Sequence, residues 1–168
     1  DTFAQLNGDR IELQTMVLPA STVVTSNDPL TFEINPEYPG WLQPRDRSRA
    51  ANVVQVRTTA GALDPDRLLD DFHTLEGGPP VVWASYPVGK ASGPRWSVAP
   101  GLTFNVVSGN GRAMAIKLAI EEHPDVYSKY RTALQGRWPK ALPASTTPTM
   151  MVRVLNPPGE PAISQARV

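Results

Sequence analysis

A strand leads through a glycine turn into a helix in the stretch V-V-S-G-N-G-R-A-M-A-I-K-L-A, residues 106–119. The apolar residues 102–107 are typical of a strand. After Arg112, apolar residues recur three or four positions apart, which predicts a helix over residues 112–122. A helix that begins in such a turn directs its first backbone N–H groups outward, at the positive end of its dipole. The stretch therefore predicts a strand–turn–helix unit as the centre of the fold.

This turn carries residue types that bind phosphate. Anions bind at helix N-termini, and Arg112 adds a permanently charged guanidinium whose planar fork suits phosphate oxygens. Gly109 and Gly111 permit positive φ and a close approach of the backbone to a ligand. The same pattern also fits a tight turn whose arginine forms an ordinary salt bridge. The local sequence leaves both interpretations open.

The composition limits the classes of function. Sixteen Lys and Arg residues balance sixteen Asp and Glu residues, so no global field draws the protein to nucleic acid or to an anionic membrane. The lack of cysteine excludes disulfides, thiolate catalysis and cysteine metal sites. No apolar run approaches the ~20 residues that cross a bilayer, so we expect no membrane partner. Because the sequence begins at Asp1 rather than Met, we expect it to be a piece of a longer protein.

The pattern of periodic segments and breakers predicts a mixed α/β (α+β) domain in the order β-β-α-α-β-β-α-α-β. We expect one domain over residues 1–156, with its core over residues 22–155, an insertion over residues 86–101 and a poorly ordered tail over residues 157–168. The predicted strands cover residues 12–18, 22–25, 81–85, 102–107 and 150–155, and the predicted helices cover residues 48–63, 64–72, 112–122 and 124–135.

A second polar cluster, L-Q-P-R-D-R-S-R-A, occupies residues 42–50, just before a predicted helix. Its three arginines, Arg45, Arg47 and Arg49, form a local positive patch in a protein of zero net charge. They are suited to contact the phosphates of a nucleotide or of a nucleic-acid backbone. Alternatively, the cluster is a solvated loop in which Asp46 neutralises a neighbouring arginine.

Together the two clusters resemble the ParB/sulfiredoxin-like superfamily, in which a Gln-Pro-Arg segment precedes one helix and a Gly-x-x-Arg turn opens another. More closely, three blocks resemble the DdrB-like ParB domain of large polyvalent proteins from phages and mobile elements. The blocks are N-P-E-Y-P…L-Q-P-R-D-R-S-R-A-A (residues 35–51), A-L-D-P-D-R-L (residues 62–68) and S-G-N-G-R-A-M-A-I (residues 108–116). The likeness extends over residues 23–155.

The resemblance implies a compact ParB/sulfiredoxin-like domain with a small mixed sheet flanked by helices. It also implies a pocket across which the Gly-x-x-Arg turn and the Gln-Pro-Arg segment face each other. The implied cofactor is a nucleoside triphosphate, CTP or ATP, with Mg²⁺; no other cofactor is suggested. The implied phosphate- or nucleotide-binding residues are Gln43, Arg45, Arg47, Arg49, Ser108, Gly109, Asn110, Gly111 and Arg112.

The resemblance further implies DNA or a nucleotide as partner, together with other domains of a larger phage protein. Some of these proteins are linked to anti-restriction or DNA processing, so we expect the protein in the host cytoplasm or in the phage virion. Sulfiredoxin-type chemistry is excluded because it requires a catalytic cysteine.

Two other classes of function remain open at this stage. A metal-dependent nuclease would need carboxylates around a divalent ion, for which Asp70, Asp71 and His73 are weak candidates. Alternatively, the acidic segment that contains them, residues 64–76, is a solvated helix with aspartates at its positive end. An NTPase and a non-catalytic scaffold that docks onto other proteins are also compatible with the sequence. No catalytic residue is assigned, and whether the domain is an enzyme stays undecided.

Overall fold

The computed structural model describes residues 2–6, 9–39, 50–69, 77–85, 102–138 and 147–155. A 3₁₀ turn (Ala20–Thr22) links the second and third strands. The strands are β1 (Thr2–Leu6), β2 (Asp9–Pro19), β3 (Val23–Val24), β4 (Val81–Ser85), β5 (Thr103–Ser108) and β6 (Thr149–Val154), and the helices are α1 (Ala50–Ala60), α2 (Pro65–Leu69), α3 (Asn110–Glu122) and α4 (Pro124–Arg137).

The sheet is mixed, as predicted. Strands β2, β6, β4, β5 and β3 lie side by side, and β1 pairs with the first half of β2, which gives the order β1-β2-β6-β4-β5-β3. The β4–β6 and β3–β5 pairs are parallel, and the β1–β2, β2–β6 and β4–β5 pairs are antiparallel. Since β3 and β5 run in the same direction, their carboxyl ends meet at one edge of the sheet.

One hydrophobic core joins the sheet to the helices. Helix α3 contributes Met114 and Ile116, both fully buried, and packs against both α1 and α4. Val56 and Ala60 of α1 are buried in this core. Tyr130 and Leu134 on α4 are buried in it as well. Helices α1 and α3 therefore lie side by side on the sheet.

Two tyrosines attach α4 to β6 through backbone hydrogen bonds. The Tyr127 hydroxyl donates to the carbonyl of Thr149 at 2.7 Å and accepts from its N–H at 2.7 Å. The Tyr130 hydroxyl accepts from the N–H of Met151 at 2.9 Å, and burial raises the pKa of this phenol above its usual value. On the side of β6 that faces β4, strand pairing starts only at Arg153. The two tyrosine hydroxyls bond to the backbone of β6 before that point.

The predicted elements are present, with shifted ends. Helix α3 begins two residues before the predicted start, and α1 ends at Ala60 rather than at residue 63. Helix α4 continues to Arg137. Strand β1 and the first part of β2 were not predicted. The proposed insertion at residues 86–101, the tail at residues 157–168 and the end of the predicted 64–72 helix lie outside the described residues.

Candidate phosphate site

The junction between β5 and α3 is a turn of one residue. Strand β5 ends at Ser108, Gly109 adopts φ 89° and ψ 30°, and α3 begins at Asn110. The left-handed conformation of Gly109 is one that L-residues with a side chain rarely adopt. The helical ladder starts with the Ala113 N–H donating to the Gly109 carbonyl at 2.9 Å. The N–H groups before Ala113 therefore lie at the positive end of the α3 dipole, outside that ladder.

The Arg112 side chain folds back over Gly109. A Cβ atom placed on Gly109 would lie 2.5 Å from Nη2 and 2.8 Å from Cζ of Arg112. Such distances are too short for van der Waals contact, so the guanidinium occupies the space that a side chain at position 109 would need. The turn thus combines a helix start with a cation held directly above it. This arrangement concentrates positive potential at the end of β5.

Asn110 has a side chain that is directed into the protein. It is fully buried (0% exposed), and its Oδ1 accepts a hydrogen bond of 2.8 Å from the backbone N–H of Ser26. Its Nδ2 lies 3.4 Å from both the Tyr38 hydroxyl and the Val106 carbonyl. A contact from Asn110 to phosphate would therefore come from its backbone N–H. The sequence pattern alone did not predict this internal role.

Tyr38 anchors a loop against the same turn. Its buried hydroxyl donates to the Val106 carbonyl. This loop, residues 25–38, is braced internally by Asn27, whose Nδ2 donates to the Phe32 carbonyl at 3.0 Å, and by Asn35, whose Nδ2 donates to the Thr25 carbonyl at 3.1 Å. The 25–38 loop is therefore a well-bonded unit packed beside the start of α3.

Phe32 connects the 25–38 loop to α1. Its φ is 64°, an uncommon value for a residue with a bulky side chain, and its ring is buried. The guanidinium carbon of Arg57, on α1, lies 5.3 Å from the ring centroid, in the range of a cation–π contact. The loop thus has contacts with both helices that pack at this edge of the sheet, α1 and α3.

The predicted residues Gln43, Arg45, Arg47 and Arg49 lie outside the described residues. The structure does describe both ends of the segment that contains them. At one end, Tyr38 is bonded to Val106 of β5, three residues before Gly109. At the other end, α1 begins at Ala50 and packs against α3. Ser108, Gly109, Asn110, Gly111 and Arg112 are the predicted site residues that the structure brings together at the β5–α3 turn.

Lys117, on α3, has a structural role. The half-buried Lys117 donates from Nζ to the carbonyls of Val23 (2.5 Å) and Ala20 (3.3 Å), and burial lowers its pKa. Asp70, Asp71 and His73 are not among the described residues. In the described part of the chain, no three His, Cys, Asp or Glu residues are grouped to hold a metal ion. Nor does that part contain a helix long and apolar enough to cross a membrane.

Comparison with known proteins identifies the family. A family model described as the ddrB-like ParB superfamily domain matches residues 6–155. The match covers most of the chain, from the last residue of β1 to just beyond β6, and includes the turn described above. Neither a curated protein nor a solved structure matches the chain. The match also begins earlier than residue 23, where the sequence likeness was expected to start. The chain belongs to the ddrB-like ParB superfamily of domains.

Proposed function

We propose that this domain binds the phosphates of a nucleotide or of a nucleic acid at the β5–α3 turn, as a module of a larger phage or mobile-element protein. The observation that carries the proposal is the position of the Arg112 guanidinium over Gly109 at the start of α3. An N-terminal helix dipole is equivalent to roughly half a positive charge, and the arginine adds a full one. A phosphate placed at the turn would contact both.

Arg45, Arg47 and Arg49 would supply further positive charges to the proposed site. Residues 40–49 connect the Tyr38 anchor to α1, and both of these contact the β5–α3 unit. A link of ten residues can extend at most ~36 Å, and the helix that follows it packs against α3. This geometry supports the proposal that Arg45, Arg47 and Arg49 contact the same phosphates as Arg112.

A nucleoside triphosphate and a DNA backbone would both present phosphate groups to this site. A nucleoside triphosphate such as CTP or ATP would bring Mg²⁺ on its own phosphate oxygens, as is usual for this ion. A DNA backbone would present successive phosphates to the same arginines. The zero net charge of the chain favours a local contact over a broad electrostatic surface. A role in anti-restriction or DNA processing, which the family resemblance implies, is part of the proposal.

Replacing Arg112 with alanine is expected to weaken phosphate binding by about 10- to 100-fold, because a charge-assisted hydrogen bond contributes roughly 1.5–3 kcal/mol. Isothermal calorimetry with CTP, ATP, GTP and a short DNA duplex, each with Mg²⁺, measures the effect. Arg137→Ala is the control, since it removes the same charge from the exposed end of α4. Equal phosphate affinities for the two variants would contradict the assignment of phosphate binding to this turn.

The dependence of binding on salt separates DNA from a free nucleotide. If Arg47 and Arg49 contact a duplex backbone, each alanine substitution should flatten the plot of log affinity against log salt by about 0.9. Base preference should stay the same in both variants. A nucleotide held by a few enclosed contacts should show a weaker response to salt and depend on its triphosphate. If neither ligand binds, a non-catalytic scaffold is the function that remains.

A further inference from the structure

The ladder between β3 and β5 stops where the candidate site begins. Strand β3 pairs with β5 at two positions only, Val23 with Phe104 and Val24 with Asn105. Two residues after Val24, the Ser26 N–H donates to the side chain of Asn110 instead of to β5. The Val106 carbonyl of β5 accepts from Tyr38 and lies within hydrogen-bond distance of Asn110 Nδ2. The Asn110 carboxamide is thus inserted between the two strands where a direct backbone bond would otherwise continue the ladder.

This insertion has two consequences for the turn. It fixes the start of α3 from within, because Asn110 is the first residue of the helix and its side chain is bonded to Val106 of β5 and to Ser26, which follows β3. It also directs two donors at the Val106 carbonyl, whose partial negative charge lies four residues before the helix start. A carbonyl neutralised in this way opposes an approaching anion less strongly.

We propose that Tyr38 and Asn110 are positioning residues for the phosphate site. Their side chains are buried and bond to Ser26, to Val106 of β5 and to each other, so they do not contact the ligand. They hold the 25–38 loop and the α3 start in one arrangement, and binding at the turn depends on that arrangement. The inference rests on the proposed function but makes a separate claim, that phosphate affinity depends on a hydroxyl group that the phosphate does not touch.

Tyr38→Phe tests the claim, because it removes only the hydroxyl that donates to Val106. The matched control is Tyr127→Phe, which removes a buried hydroxyl bonded to the backbone of Thr149, on β6. We expect Tyr38→Phe to lower the affinity for pyrophosphate by about three- to tenfold, the range that the loss of one hydrogen bond allows. Tyr127→Phe should leave that affinity unchanged, although it should lower the free energy of unfolding about as much as Tyr38→Phe does.

A second measurement needs no ligand. Hydrogen exchange of the Ser26 N–H, followed by NMR, reports the bond to Asn110 directly, and we expect faster exchange in Tyr38→Phe than in Tyr127→Phe. Equal affinities and equal exchange in the two variants would overturn the positioning role and leave the proposed function standing. Failure of the wild-type protein to bind pyrophosphate, nucleotides or DNA would overturn both. A change in exchange with no change in affinity would also contradict the inference, since the hydroxyl would then be structural alone.

Discussion

Replacement of Gly109 with alanine is expected to destabilise the domain by about 1–2 kcal/mol and to weaken phosphate binding by about 10- to 100-fold, as Arg112→Ala does. Two effects act at this position. The left-handed φ of 89° is unfavourable for an L-residue with a side chain by roughly 1–2 kcal/mol. The new methyl group would also meet the Arg112 guanidinium at 2.5 Å, so the arginine must leave its place over the turn. Loss of that placement removes the cation from the anion site.

The control for this substitution is Gly136→Ala in α4. A Cβ at Gly136 would meet nothing within 4 Å, and alanine is the better helix former, so this variant should match or exceed wild-type stability. Urea denaturation and calorimetry with pyrophosphate give the two readouts. A Gly109→Ala variant as stable as Gly136→Ala would show that neither the φ value nor the contact with Arg112 matters. Gly109→Asn separates the effect of φ from that of the contact with Arg112, because asparagine tolerates positive φ but still carries a Cβ atom.

Much of the fold was predictable because its signals are local. The strand–glycine–helix pattern around Gly109 predicted the β5–α3 turn, and the apolar periodicity of α1, α3 and α4 matches the buried faces. The two clusters, taken together, also carried the family resemblance, which is confirmed. Strand β1 was missed although a signal was present. Asn7-Gly8 separates β1 from β2, and this dipeptide is the strongest short-range indication of a hairpin.

The internal role of Asn110 could not be predicted from the sequence, because its partners are distant in the chain. Ser26 lies 84 residues away and Tyr38 lies 72 residues away. An asparagine in a glycine-rich turn is equally typical of a cap, a ligand contact or a left-handed residue. Only the meeting of β3 and β5 in the sheet brings the Ser26 N–H and the Val106 carbonyl to it. The pairing of strands therefore decides which of the turn residues can contact a ligand with a side chain.

Arg153 presents a comparable case, in which a buried charged side chain holds a strand in place. It lies in β6 with only 1% of its surface exposed. Its Nε and Nη2 donate to the Pro79 carbonyl at 2.9 and 2.7 Å, and Nη2 also donates to the Gly77 carbonyl at 2.5 Å. Its backbone N–H donates to the Pro80 carbonyl at 2.8 Å. One residue thus fixes the chain that enters β4, the strand that pairs with β5.

Replacing Arg153 with methionine is expected to cost about 2–4 kcal/mol of folding free energy, because it leaves two carbonyls without their donors in a buried setting. Methionine keeps most of the apolar volume, so the cost reports the lost hydrogen bonds rather than a cavity. Arg131→Met is the control: its Nη1 donates to the exposed Thr147 carbonyl, which water can satisfy, and the loss should stay below ~1 kcal/mol. Urea denaturation measures both. Equal losses would mean that Arg153 contributes no more than a surface arginine, and that β4 is held by its strand partners alone.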